Sequence, residues 1–446
     1  MANYISKRGA NVAPSYATLG DLPSSTEVGD LVFVAGQLGI AVSASGYQTC
    51  DKTDIVFPYD WTTTTQQAKL QASDAAYNDQ FGFENGMIDG DTIVVGAHFD
   101  QPSGNGSHTQ PGAAYVFTRS GTTWSQQAKL VASDPEAGDR FGSAAAISGD
   151  TIVIGAKLED AVASAAGAAY VFTRSGTTWS QQAKITASDG AVNDLFGTRA
   201  RIAGDTIVIG AQQHNSRRGA AYIFTRSGTT WSQQAKLTAS DAAANDNFGS
   251  SVNISADTVV VGAYAENSGA GAAYVFTRSG TSWSQQAKLT ASDRATNDYF
   301  GNTGIGISGD TVAVGARVKP YSGYVYKGAA YVFTRSGTSW SQQAKLLASD
   351  AQNGDFFGSS IDITGDTIIV GAEGEDTGAS GAGAAYIFTR SGTSWTQAKK
   401  IQASDAGADD YFGNFVGISG NTVLVTAYGE DTGSSDAGAA YTFLAG

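Results

Sequence analysis

One cysteine, Cys50, in 446 residues excludes an intramolecular disulfide framework. Charge is scarce as well, at 15% of residues, and 27 lysines and arginines face 41 acids. A net charge of -14 argues against a nucleic-acid partner, because phosphate binding needs a basic face. No apolar run approaches the ~18 residues of a membrane-spanning helix, so membrane insertion is not expected. The opening residues, MANYISKRGANVAPSY, offer no apolar h-region, so no secretory leader is expected either. No segment carries a helical period. These features fit a chain that folds in a reducing cytoplasm.

What is abundant is glycine, 56 residues of it, and repetition. The pair Phe-Gly recurs at Phe81, Phe141, Phe196, Phe248, Phe300, Phe357 and Phe412, at intervals of 52 to 60 residues. Each copy is followed by a Gly-Asp-like turn and an apolar run ending Gly-Ala (Thr426-Ala427 in the last), then GAAYVFT, RSGT and WSQQAKL or close variants. This reads as four strands per unit. Strand A runs from Phe-Gly to the Gly-Asp turn, where glycine accepts positive φ and aspartate bonds nearby backbone. Strand B is the run typified by TIVIGA, apolar on both faces and therefore sandwiched. Strand C is GAAYVFT and strand D is WSQQAKL. Period-2 alternation puts Trp124, Gln126, Ala128 and Leu130 on one mostly apolar face of D, and Ser125, Gln127 and Lys129 on a polar one.

Seven such units predict an all-β fold, a seven-bladed β-propeller of four-stranded antiparallel blades. One copy is split. Its strand D, TQQAKL, lies at Thr65 to Leu70, and its strand C, GAAYTF, at Gly438 to Phe443. An open row of blades would leave exposed edges, so the N-terminal strand is expected to complete the last blade and close the ring. The propeller then spans residues 61–446, and residues 1–60 form a separate N-terminal segment.

Phe-Gly followed by an apolar strand ending Gly-Ala resembles the FG-GAP repeat of integrin α-chain propellers, and the spelling AKLxASDxxxxDxFGxxxxIxGDTxxVGA is similar to its bacterial and viral branch. Integrin-type repeats hold calcium in a D-x-D-x-D-G loop. Here that loop is a tight turn with one carboxylate (Asp91, Asp150, Asp205, Asp257, Asp310 or Asp366; Asn421 in the last copy), too few oxygens for calcium. A second acidic pattern, D-x4-D-x-F-G, precedes every strand A, as in Asp74 with Asp79, Asp134 with Asp139 and Asp405 with Asp410. It reads either as a ring of cation sites or as turn capping. Identical carboxylates in every copy, with Asn or Gly before the second one in six of the seven, favour capping. No cofactor and no metal are expected.

The A–B and C–D turns are short and monotonous, whereas the B–C loops on the other face differ in length and chemistry. Loops displayed on a rigid scaffold are where recognition concentrates. Candidate binding residues are His98, Asp100 and His108 in blade 1, and His214, Arg217 and Arg218 in blade 3. Blade 5 offers Lys319, Tyr321, Tyr324 and Tyr326, and blade 6 offers Glu375 and Asp376. The histidines lack a metal-ligand spacing and read as solvated. The alternative is that these loops simply drift. Catalytic motifs are missing: no G-x-S-x-G, no H-E-x-x-H, no phosphate-cradling glycine loop. No glycosidase-like carboxylate pair stands out from the repeat. The repeat tryptophans (Trp124, Trp179, Trp231, Trp283, Trp340, Trp395) read as inter-blade packing, with Trp61 outside their register.

Within residues 1–60, strands are expected at Leu31 to Ala35 and Leu38 to Val42. This stretch resembles short modules of virion and tail-appendage proteins of aquatic bacteriophages. The resemblance implies a non-enzymatic virion protein, anchored to other virion proteins through residues 1–60 and presenting the propeller to a host surface glycan or protein. The alternatives are a bacterial cell-surface or extracellular adhesion propeller, or a purely architectural virion component.

Overall fold

The computed structural model describes residues 59–83, 85–100, 111–319, 326–432 and 434–445, together with the backbone of four strands nearer the N-terminus. The chain divides into two compact units, Met1–Tyr59 and Asp60–Gly446. In the first, strands Asn3–Ile5, Leu31–Val34, Gln37–Ser43 and Gly46–Thr49 form one antiparallel sheet in chain order. Its middle pair, with Val34 opposite Gln37, is the hairpin expected from the sequence.

The second unit is a ring of seven four-stranded antiparallel sheets, each built in the order A-B-C-D. Blade 2 is representative, with strands Phe141–Ser148, Thr151–Ala156, Ala168–Ser175 and Thr178–Ile185. Strand B is β-branched over its first four residues and buried along its whole length, as a central strand between two packed faces should be. The A strands of successive blades touch one another around the axis, and the last touches the first.

The split repeat closes the ring. Ala439–Leu444 pairs antiparallel with Thr65–Leu70, placing Ala440 opposite Leu70 and Leu444 opposite Thr65. The sheet is completed by Phe415–Ser419 and Thr422–Ala427.

The core is divided into seven apolar layers, one between each pair of neighbouring blades. The layer between blades 7 and 1 holds Leu70 and Trp124, whereas Leu130 belongs to the layer between blades 1 and 2. Trp124 and Leu130 therefore face opposite sides of strand D, contrary to simple alternation. The cause is a bulge: Phe117 pairs with Gln126 and Val116 with Ala128, leaving Gln127 as the extra residue. A bulge inserts one residue and reverses the alternation beyond it. The same register shift recurs in every blade, so strand D serves both flanking layers.

Neighbouring blades also meet at the two glycines that mark the repeat. A Cβ on Gly155 would lie 2.0 Å from the carbonyl oxygen of Gly197, the glycine of the next Phe-Gly. In blade 7, where threonine replaces this glycine, the buried Thr426 hydroxyl donates to the Gly82 carbonyl at 2.8 Å. Among the described residues no helix is long and apolar enough to cross a membrane.

Candidate functional site

Most of the repeated charge is used inside the scaffold. The single carboxylate of each A–B turn is held by the arginine of strand C: Asp91 accepts from Arg119 Nε at 2.7 Å, and Asp150, Asp205, Asp257, Asp310 and Asp366 do the same in their blades. That arginine also donates to a threonine of the preceding blade, as from Arg174 Nη1 to Thr92 at 3.1 Å. Tryptophan Nε1 reaches a glutamine of the preceding strand D, as from Trp124 to Gln67 at 3.0 Å.

The D-x4-D pattern divides its labour. The second aspartate caps a turn, accepting from the backbone N–H three residues earlier, as Asp79 does from Ala76 at 2.7 Å and Asp298 from Ala295 at 2.7 Å. The residue before it has positive φ, from Asn78 at 61° to Asp409 at 60°. The first aspartate instead receives the strand D lysine and the strand C tyrosine: Asp74 accepts from Lys129 at 2.7 Å and from the Tyr115 hydroxyl at 2.8 Å. Its carboxyl is pushed up by burial, but the bonds from Lys129 and Tyr115 outweigh this and hold it below the usual range. The same lysine takes a further acid, three residues beyond Gly-Ala: Asp100 in blade 1, Glu159 in blade 2, Glu266, Glu375 and Glu430 in blades 4, 6 and 7. A lysine ammonium thus stands among the carboxylates where the cation-site reading would put a metal.

This geometry reassigns several candidates. Asp100 and Glu375 are each only 2% exposed, with their carboxylates turned to Lys129 and Lys400. His214 and Lys319 occupy the same position in blades 3 and 5. His214 is read from its neighbours as donating from Nδ1 to Asp194 (2.8 Å) and accepting at Nε2 from Lys236 (2.7 Å). Lys319 is buried against Asp298 at 2.7 Å. Asp376 is exposed, yet it caps its own loop by accepting from Gly381 N–H at 2.7 Å. These five act in folding the loops. The blade 3 loop is also no longer than that of blade 4, and both turn through paired positive-φ residues, Asn215 and Ser216 in one and Asn267 and Ser268 in the other. Arg217 is exposed and Arg218 half-buried there, their carbonyls receiving Asn247 and Phe248 N–H of the next connection. His108, Tyr321 and Tyr324 lie outside the described residues.

The residues that differ from blade to blade gather elsewhere. Immediately after Gly-Ala stand His98, Lys157, Gln212, Tyr264, Arg317, Glu373 and Tyr428, one per blade. Four of them line one open cavity of about 390 Å³ with Arg199, Tyr299 and Asn302. Arg317 reaches Glu373 at 3.3 Å, and Glu373 bonds Asn414 of the next blade. Tyr428 stacks on Tyr411 at 5.0 Å and meets Phe83 edge-on at 4.7 Å, and Phe83 lies 5.5 Å from His98. Tyr326 extends this belt, stacked on Phe356 at 5.8 Å, with the Arg317 guanidinium also over that ring. These residues encircle the mouth of the axial channel on the B–C face. Below the mouth the channel narrows to a void of about 20 Å³ lined by Arg199, Arg201 and Phe415, room for roughly one water.

Of the sequence-chosen residues, His98 and Tyr326 belong to this belt. His98 is 3% exposed, not solvated, and burial, aided by Lys157, Arg140 and Arg199, drives its pKa well below the usual imidazole range. Lys157, Tyr264 and Arg317 were missed because loop length drew attention outward. Aligned on Gly-Ala, the copies show the next position changing chemistry from blade to blade while the alanine before it stays the same.

The FG-GAP repeat matches the chain seven times, at residues 64–117, 124–172, 179–224, 231–276, 283–333, 340–388 and 395–443. No curated protein matches it.

Proposed function

The chain belongs to the FG-GAP repeat family, and we propose on that footing that it is a non-enzymatic binding propeller whose ligand face is the channel mouth on the B–C side. One observation carries this: blades that repeat almost letter for letter differ at the position that rims the mouth. A scaffold needs no such variety, whereas recognition by a rigid ring does. The repeated carboxylates are engaged by lysine, arginine, tyrosine and backbone, so the reading assigns them to architecture and no reaction to the protein.

The finer part of the proposal is a bacteriophage virion protein, attached through residues 1–60 and displaying the propeller to a host surface or a neighbouring subunit. It is supported by the resemblance of the N-terminal stretch alone. Mass spectrometry of purified particles tests it; a chain found only with host cells would favour the cell-surface adhesion reading.

The binding reading has its own test. Full-length chain carrying Tyr264→Ala and Tyr428→Ala is compared with the parent in a cell-binding assay. Binding should fall at least tenfold with the melting temperature nearly kept. Retention of full binding by the folded variant would remove the mouth as the ligand face.

A further inference from the structure

We infer that the mouth holds a neutral saccharide, seated against blades 3, 4 and 5. The inference rests on the reading of the mouth as the ligand face and adds the ligand's chemistry. The cavity there, of about 390 Å³, is lined by charged and by uncharged polar side chains. The charged ones are already engaged. Arg317 pairs with Glu373 at 3.3 Å, and Lys157 and Arg199 have partners of their own within the protein. The uncharged ones are not. The side-chain amides of Gln212 and Asn302 and the hydroxyls of Tyr264 and Tyr299 have no hydrogen-bond partner among the described residues. All four side chains are half-buried, so they stand open to a ligand in the cavity.

What these groups lack is hydrogen bonds, and a sugar supplies them. An amide and a phenol each both donate and accept, as a sugar hydroxyl does. Every pairing can therefore be made without neutralising a charge. Thr198, in the same lining, donates to the Leu195 carbonyl at 2.7 Å, which leaves its oxygen as an acceptor. Burial, reinforced by Tyr299, raises the pKa of Tyr264 and keeps its hydroxyl a donor. Tyr264 and Tyr299 meet at 5.7 Å with their rings at 89°, forming an apolar corner for the C–H face of a sugar ring. The volume lies within the usual span of small-ligand sites. A peptide is gripped mainly through its backbone, along a strand edge or groove. Here the unpartnered groups are side chains contributed by three separate blades.

The test uses the full chain in titration calorimetry. The probes are neutral tetrasaccharides of glucose, galactose, mannose and N-acetylglucosamine, the uronate counterparts of the first three, and a glycine-serine peptide. Other blades supply replacements that the fold already accepts. Tyr299→Leu copies the equivalent Leu195, which shares its positive φ, and Asn302→Ser copies the equivalent Ser250. At least one neutral tetrasaccharide should bind, and at least tenfold more tightly than its uronate counterpart or the peptide. Each substitution should weaken it about tenfold. The double variant should abolish it while keeping the melting temperature. Raising the salt concentration should leave the affinity unchanged, because a neutral ligand draws nothing from screened charge. No neutral sugar bound at millimolar concentration, equal or tighter binding of a uronate or of the peptide, a strong salt dependence, or an unaffected double variant would each overturn the inference. In the cell assay, loss of binding with Tyr264→Ala and Tyr428→Ala but not with Tyr299→Leu and Asn302→Ser would leave the mouth as the ligand face and reject the neutral sugar.

Discussion

Asp79 shows how one side chain's surroundings decide its charge. It is buried at the turn into blade 1, accepts only the Ala76 N–H, and lies near Asp100 and Asp74. Burial, then the field of Asp100, raise its pKa from 3.8 to about 7, against the bond from Ala76 and the charge of Lys129. The folded chain thus keeps a proton that the unfolded chain has released between about pH 4 and pH 7. Stability contributed at this site falls as pH rises through that window. Asp139, Asp355 and Asp410, its equivalents in blades 2, 6 and 7, shift the same way. Replacing Asp79 by asparagine keeps an acceptor for Ala76 and removes the titration. The drop in melting temperature from pH 5 to pH 8 should therefore be smaller in Asp79→Asn than in the parent. An identical drop in both proteins would show that the site does not titrate in this range.

At the scale of elements, the seam between blades 6 and 7 is built differently from the others. Blade 7 has Ala445 where the other blades place their turn arginine, and Thr64 where they place tryptophan. Trp61 takes over that role from a single 3-10 turn, Trp61–Thr63. It is 2% exposed and packs with Ile369, Ile387 and Phe443, while Lys399 of blade 6 donates to the Thr62 carbonyl at 3.0 Å. Truncation of a buried tryptophan typically costs about 3–5 kcal/mol. Trp61→Ala should lower stability in denaturant titration by that amount. A loss under about 1 kcal/mol would mean that the seam is held by other contacts. The register of the repeat tryptophans was plain in the sequence, but the substitute three residues out of register was not. Only the path of the chain into the ring brings Trp61 to the vacancy.

The whole molecule depends on the pairing of its two distant segments. Strand Thr65–Leu70 contributes the Leu70 packing, the Gln67 acceptor for Trp124, and Lys69, which reaches both Asp405 (2.7 Å) and Glu430 (2.6 Å). Deleting residues 61–72 strips blade 7 of its outer strand and two apolar layers of their closing side chains. The melting temperature should drop by roughly 10 °C or more, with concentration-dependent association through the exposed edge. A truncated protein melting with the parent would show that the ring does not need this strand.

Repetition made the ring legible. Seven closely similar runs of apolar residues and turn glycines have one economical burial scheme, and the divided copy told where the ring closes. The turn caps, too, were readable, since Asn or Gly before aspartate carries its backbone geometry with it. What periodicity could not show was the bulge at Gln127 and its equivalents, because one extra residue opposite a partner strand leaves no mark in the strand itself. Nor could it separate Asp100, Glu375, His214 and Lys319 from a ligand face. Whether a loop side chain points to solvent or into a neighbouring ion pair is settled by Lys129 and its counterparts, distant in sequence. The fold was written in local pattern, while the mouth exists only where seven blades converge on one axis.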